Sequence, residues 1–256
     1  MSFSDEKNHN KCTSNPIKSD IKGMAQKLFS KANNLRAESK YKDAIREYLN
    51  SIMLNRNNPE AYLGLGMVYK ELSSFKKSLQ ALRKAYQLSP FNFEILSELG
   101  ICELINGNFP EAISCFQKGI KLNPENYDLQ LHLALAHEME DEPEMALMVY
   151  QRIIDKNPSF TKAYIQKASL YMSLECYIDS ACLFKKVLEL EPKYSRAYLG
   201  IGICCDKMNK KQEALRYYKK FLRFKSDSPN TEKVYERISS IKSGMERKQH
   251  SLKVLH

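Results

Sequence analysis

Apolar residues in this chain recur at helical spacing in blocks of about a dozen, each block ended by a short polar or proline-bearing break. In the stretch from Phe93 to Asn126, Leu96, Leu99 and Gly100 mark one helical face. After the break Asn106-Gly107-Asn108 a second face runs through Ala112, Ile113, Phe116, Gly119 and Ile120 until Pro124 stops it. The pattern predicts two helices joined by a tight turn. A step of 34 residues in either direction lands on the same residue classes, so the chain divides without insertion or deletion into six units, 25–58, 59–92, 93–126, 127–160, 161–194 and 195–228. A period of this length is the mark of a helical solenoid, in which each helix pair buries its apolar face only by stacking on its neighbours.

Small residues fix the register. The eighth residues of the units are Ala32, Gly66, Gly100, Ala134, Ala168 and Gly202, and the twentieth are Ala44, Ser78, Ala112, Ala146, Ser180 and Ala214. All of them are Gly, Ala or Ser, types that supply only 49 of the 256 residues, so accident is excluded. Two antiparallel helices reach the short end of the ~8–10 Å range only where the crossing side chains are tiny. Large residues flank the crossing: Leu28, Tyr62, Leu96, Tyr164 and Tyr198 at the fourth position, and Tyr48, Leu82, Phe116, Tyr150, Phe184 and Tyr218 at the twenty-fourth. Pro90, Pro124, Pro158 and Pro192 recur at the thirty-second position, where fixed φ and the missing N–H end a helix, whereas the first and last units carry Arg56 and Ser226 there.

With small residues at positions eight and twenty, aromatics at four, eleven, seventeen and twenty-four and Pro at thirty-two, residues 25–228 resemble the tetratricopeptide repeat. The resemblance implies an all-α fold, a right-handed α-solenoid of six helix pairs whose first helices line a concave groove, and it implies binding of proteins or peptides there. The chaperone-binding carboxylate clamp of that family would need Lys, Asn, Asn, Lys and Arg where the first three units have Phe29, Asn33, Gly64, Glu94 and Glu98. Only Asn33 agrees, which argues against a clamp for chaperone tails. Lys162 in the fifth unit is a partial match. An asparagine ladder at the sixth position is absent as well, since Ser30, Gly64, Glu98, His132, Gln166 and Gly200 stand there.

Outside the repeats, residues 1–19 are polar and read as a disordered tail, and the first helix pair is expected over 20–38 and 42–55. After Ser228-Pro229 a capping helix is expected over 229–248, followed by a frayed tail, 249–256. Val234, Tyr235, Ile238, Ile241 and Met245 would cover the last repeat, in particular Tyr217, Phe221 and Phe224, while Lys233, Arg237, Lys242, Arg247 and Lys248 face water.

Composition changes the picture mainly through charge. The net charge of +10 conceals two basic ends and an acidic middle. Residues 25–92 hold 12 Lys/Arg against 5 Asp/Glu, residues 93–160 hold 4 against 12, and residues 195–256 hold 15 against 6. No apolar run approaches the ~20 residues of a membrane span, and the first twenty residues carry no hydrophobic leader, so a cytoplasmic location is expected. Seven cysteines without CxxC or zinc spacing read as reduced core thiols, with Cys102, Cys115, Cys204 and Cys205 in packing positions.

No pattern suited to catalysis, phosphate binding or cofactor binding is present, so neither an enzyme nor a cofactor protein is expected. His132 and His137, five residues apart on one helix, diverge by about 140° and make a poor metal pair. One is expected in the groove and the other at a helix interface.

The groove is instead where function is expected. On each first helix the second, fifth, ninth and twelfth positions share one face, opposite a core of positions four, seven, eight and eleven. The candidate floor is Leu63, Met67, Ile101, Leu131, Leu135, Ile165, Leu199 and Ile203, joined by His132 and Gln166. Its rim is acidic at Glu60, Glu94, Glu98, Asp128 and Glu138 and basic at Lys162 and Arg196. These residues suit an amphipathic peptide or helix and describe a protein-interaction adaptor or scaffold. The alternatives are self-association, with one molecule's tail in a neighbour's groove, and binding of nucleic acid or an anionic surface by the basic C-terminal end. The second alternative is disfavoured because no aromatic-interleaved basic platform is evident in the sequence.

Overall fold

The computed structural model describes residues 16–224 and 230–254, with side chains over 20–224 and 230–247. Among these residues thirteen helices alternate with short turns. They are α1 (Pro16–Ala37), α2 (Tyr41–Leu54), α3 (Pro59–Glu71), α4 (Phe75–Leu88), α5 (Phe93–Ile105), α6 (Phe109–Leu122), α7 (Tyr127–Met139), α8 (Pro143–Lys156), α9 (Thr161–Ser173), α10 (Tyr177–Leu190), α11 (Ser195–Lys207), α12 (Lys211–Phe224) and α13 (Thr231–Val254). They form two compact units, Met1–Leu129 and Gln130–His256, whose boundary falls inside α7.

Each tandem repeat is one helix pair, and the register read from the sequence holds. All twelve residues at the eighth and twentieth positions are buried. A β-carbon on Gly66 would stand 2.6 Å from Leu82, one on Gly100 2.5 Å from the Phe116 ring, and one on Gly202 2.7 Å from the Tyr218 ring. The eighth position therefore receives the large twenty-fourth residue of the same repeat. Where the twentieth residue is Ser, its hydroxyl donates back across the crossing: Ser78 Oγ to Gly66 O at 2.7 Å and Ser180 Oγ to Ala168 O at 2.8 Å. Where the twenty-fourth is Tyr, the first helix supplies an acceptor for its hydroxyl. Tyr48 donates to Asn33 Oδ1 at 2.6 Å, Tyr150 to Glu138 Oε1 at 2.5 Å and Tyr218 to Asp206 Oδ2 at 3.2 Å. A buried phenol without such a partner would carry a desolvation penalty.

The turn inside each repeat is the same six times. The fifteenth residue adopts positive φ, at Ser39 (58°), Ser73 (54°), Gly107 (80°), Asp141 (62°), Glu175 (60°) and Asn209 (61°). The next residue's N–H reaches back to the carbonyl five residues earlier, as from Lys40 to Leu35 O at 2.8 Å and Cys176 to Tyr171 O at 2.8 Å, which is a Schellman closure. Only one of the six is glycine. Helix starts differ between the units: Asn58 Oδ1 accepts from the N–H of Glu60 and Ala61, and Asn92 Oδ1 from Glu94 and Ile95, whereas Phe160 and Tyr194 cap α9 and α11 without a side-chain hydrogen bond.

Several boundaries and faces depart from the sequence reading. The first helix begins at Pro16, so 16–19, expected to belong to a disordered tail, are helical, and residues 1–15 lie outside the described residues. The core includes the third and tenth positions as much as the fourth and eleventh. Ala61, Ile95, Ala163, Ala197, Val68, Cys102 and Cys204 are fully buried, because these side chains face the preceding helix pair. At the eleventh position of the third and fourth repeats the buried residues are polar. Glu103 is held by Arg83 and Asn108, and His137 Nδ1 lies 2.6 Å from Glu142 Oε2. Of the cysteines, Cys102, Cys115, Cys204 and Cys205 are buried and burial raises the pKa of each thiol, Cys115 to about 11. Cys176 and Cys182 are exposed, contrary to a core role, and Cys12 lies outside the described residues.

The last helix packs on the sixth repeat in a way that explains its sequence. Val234, Ile238 and Ile241 are buried against Ile201, Tyr218 and Phe221. They stand 37 residues after Ala197, Ile201 and Cys204, the third, seventh and tenth positions of α11. Helix α13 thus occupies the place of a further first helix, entered after a connection three residues longer. An ion pair repeats the relation, because Lys70–Glu98 joins the twelfth position of one repeat to the sixth of the next at 2.6 Å, as Asp206–Arg237 does across α11 and α13. Two expectations fail here. Tyr235 falls at the equivalent of the fourth position, which elsewhere meets the repeat's own second helix, and is 59% exposed. Phe224 is not covered by α13, being 43% exposed and stacked on Tyr198 with centroids 5.3 Å apart. Helix α13 also runs to Val254, past the expected end at 248, so 249–254 is helical and not frayed; Ser228 and Pro229 lie outside the described residues.

Candidate functional site

Each unit holds a concavity on the faces of its first helices. In the N-terminal unit a space of about 410 Å³ lies among α1, α3 and α5. Its floor is Phe29, Leu63, Gly64 and Met67, its upper edge Glu60 and Glu94 at the helix starts, and Arg36 and Glu98 complete it. In the C-terminal unit a space of about 430 Å³ is formed by α9 and α11 with Leu131 of α7 and Asn230 at the entry to α13. There Leu131, Ile165, Leu199 and Ile203 form the floor with Phe184 beneath, and Lys162, Gln166 and Arg196 stand at the edge.

Of the residues expected in the groove, Leu63, Met67, Glu94 and Glu98 come together in the first concavity, and Leu131, Lys162, Ile165, Gln166, Arg196, Leu199 and Ile203 in the second. Ile101, Asp128, His132 and Leu135 line neither, although Ile101, His132 and Leu135 are half-buried on the same helix face and Asp128 is exposed. The expected acidic rim is thinner than it reads. Glu98 is committed to Lys70, both partners being less than one-fifth exposed. Glu138 accepts from Tyr150; burial raises its pKa, and the hydrogen bond works against that. Glu60 and Glu94 remain exposed.

Sequence reasoning missed what places the two concavities. The sixth position is glycine only at Gly64 and Gly200. A β-carbon on Gly64 would stand 2.5 Å from the Tyr48 ring and one on Gly200 2.5 Å from Phe184. In both cases the ring is the twenty-fourth residue of the preceding repeat. Without a side chain at position six, the first helix settles onto that ring and the surface above it is hollow; Ser30, Glu98, His132 and Gln166 occupy the equivalent place elsewhere. Glycine at the sixth position is the one sequence signal for it, and it acquires that meaning only with the ring of the preceding repeat beneath it. The flanking Phe93 and Tyr194 carried no such signal, since they stand at positions one and thirty-four, whereas Met172 stands at the twelfth position of the expected face.

The C-terminal end also interleaves rings with cations, which the sequence reading did not anticipate. Lys220 Nζ stands 5.6 Å from the ring centroids of both Tyr198 and Tyr217, beside the Tyr198–Phe224 stack. Tyr198 is thus engaged with Phe224 and Lys220, and Tyr217 with Lys220, in a cluster whose Phe224 and Lys220 are exposed. No helix among the described residues is long and apolar enough to cross a membrane.

Comparison with known proteins agrees with the helix-pair repeat fold. Family models described as TPR repeat and tetratricopeptide repeat match residues 32–73, 59–92, 93–126, 128–159 and 195–228, together well over half the chain. Among solved structures the chain is similar to a tetratricopeptide repeat protein from Parabacteroides merdae, at 17% identity over 88% of this chain and 89% of that one, with a TM-score of 0.73. It is also similar to the MamA protein, at 26% identity over 65% and 91% of the two chains and a TM-score of 0.58. A third similar structure is YrrB, described as a TPR protein with an unusual peptide-binding site, at 19% identity over 74% and 97% and a TM-score of 0.57. No curated protein matches the chain.

Proposed function

The chain belongs to the tetratricopeptide-repeat family, whose members are typically non-enzymatic scaffolds for protein interaction, and on that premise we propose that it is an adaptor holding an amphipathic protein segment on the first-helix faces of its units. The observation that carries the reading is the state of the fifth and ninth positions. Leu131, Ile165, Leu199, Ile203 and Met67 are large and apolar yet only half-buried, and they converge on hollows deep enough to take side chains. A solvated helix face has no need of apolar residues there, and filling such hollows with a ligand's side chains removes the remaining surface from water at about 25 cal/mol per Å². A helix laid in a groove or an extended segment would both use this surface.

Affinity capture from the source cell with the full-length chain, run beside Met67→Asp and Leu199→Asp, tests the reading. Partners retained by the parent should be lost from at least one variant while far-ultraviolet circular dichroism and melting temperature stay unchanged. If both folded variants retain every partner, the first-helix faces are not the binding surface.

A further inference from the structure

The concavity of the C-terminal unit carries charges that its own helices do not call for. Backbone N–H groups at a helix start favour anions and disfavour cations within the first turn. Around the N-terminal concavity α3 and α5 follow that rule, with Asn58 and Asn92 as caps and Glu60 and Glu94 in their first turns, although α4 of the same unit starts with Lys76 and Lys77 and no acid. The C-terminal unit reverses it twice. Helices α9 and α11 begin after Phe160 and Tyr194, neither of which makes a side-chain cap, and their second residues are Lys162 and Arg196. Both cations are exposed and stand at one edge of the same apolar hollow, above Ile165 and Leu199. Lys162 Nζ also stands 5.9 Å from the centroid of the Phe160 ring, and both cations oppose the helix starts on which they stand, so carboxylates of a partner at this edge would meet complementary charge.

We propose that the hollow lined by Leu131, Ile165, Leu199 and Ile203 docks a peptide segment that is apolar and acidic, its apolar side chains on the floor and its carboxylates at Lys162 and Arg196. The inference rests on the adaptor reading above and adds the chemistry of the partner. The carboxylate clamp is not what would hold it, because Ile165 and Ser169 stand at the fifth and ninth positions of that repeat. Lys162 and Arg196 stand on separate first helices at one edge of the hollow, and carboxylates three residues apart in a polyproline II segment, which rises about 3.1 Å per residue, lie roughly 9 Å from one another and can address both helices. Charge complementarity of this kind sets which partner is accepted and how fast it arrives.

The test uses full-length protein and three fluorescein-labelled twelve-residue peptides read by fluorescence anisotropy. One carries Leu residues and two Glu three positions apart, the second has Lys for each Glu, and the third has Ser for each Leu. The first should bind at least about tenfold tighter than the second, weaken with added salt, and lose to the second in a Lys162→Glu/Arg196→Glu variant. The third should bind weakly to both proteins. Equal binding of the first two peptides, with both lost in Leu199→Asp, would leave a groove without acidic preference and overturn this proposal alone. If no peptide binds and captured partners also ignore Leu199→Asp, the adaptor reading falls together with it. Displacement of the acidic peptide by an equal concentration of single-stranded oligothymidylate would replace it with general polyanion binding.

Discussion

The contact between α13 and the sixth repeat gives the most quantitative prediction. Asp206 is only 9% exposed, and its carboxylate accepts from Arg237 Nε at 2.5 Å and Nη2 at 2.9 Å, from Lys211 Nζ at 2.6 Å and from Tyr218 Oη at 3.2 Å. Burial by itself would raise its pKa, but the hydrogen bonds and charges of Arg237 and Lys211 outweigh that and hold it at about 2, against an ordinary 3.8. At 1.36 kcal/mol per unit the depression corresponds to about 2 kcal/mol of stability. Because the folded-state value is the lower one, that contribution is complete above pH 4 and disappears as the pH falls through 2. Asp206→Asn should remove it at neutral pH, and Arg237→Ala, which breaks the bidentate contact to α13, should remove a share of it. Since repeat arrays open locally from their ends, amide hydrogen exchange of α13 is the appropriate readout, followed from pH 7 to pH 3. The parent should lose protection in α13 on acidification toward pH 3, whereas Asp206→Asn should start lower and change little. Equal protection of α13 in parent and both variants at pH 7 would refute the claim that this carboxylate anchors the helix.

Two further outcomes follow from the repeat geometry. Gly100→Ala places a methyl 2.5 Å from the Phe116 ring and should cost about 1–3 kcal/mol in denaturant unfolding, while Glu111→Ala, which removes only an exposed first-turn anion of α6, should cost less, about 0.3–1 kcal/mol. Glu175 holds φ at 60°, a conformation that costs an L-residue roughly 1–2 kcal/mol, so after glycine's entropy penalty Glu175→Gly should raise stability by about 0.5–1 kcal/mol and increase the melting temperature.

The period, the register and the fold class were legible because they are one-dimensional. A solenoid repeats its contacts at fixed sequence separation, so the need for a tiny residue at each helix crossing prints Ala32, Gly66, Gly100, Ala134, Ala168 and Gly202 at equal intervals. The half-exposed apolar face of the first helices was legible for the same reason, through helical spacing alone. The conserved turn was not, since positive φ falls on Ser39, Ser73, Asp141 and Glu175, whose side chains give no sign of it; the Schellman hydrogen bonds of the preceding helix impose it. Nor could a sequence say that Glu98 and Glu138 are spent inside the protein while Glu60 and Glu94 stay exposed, because that depends on Lys70 and Tyr150 reaching them from other helices. Gly64 and Gly200 were in view from the start, but a missing side chain becomes a hollow only when the Tyr48 or Phe184 ring of the preceding repeat is brought beneath it. The chain by itself determined which residues share a face. Packing between repeats decided which of those faces remain open to a partner, because burial and charge pairing are set by neighbours that lie about a repeat away.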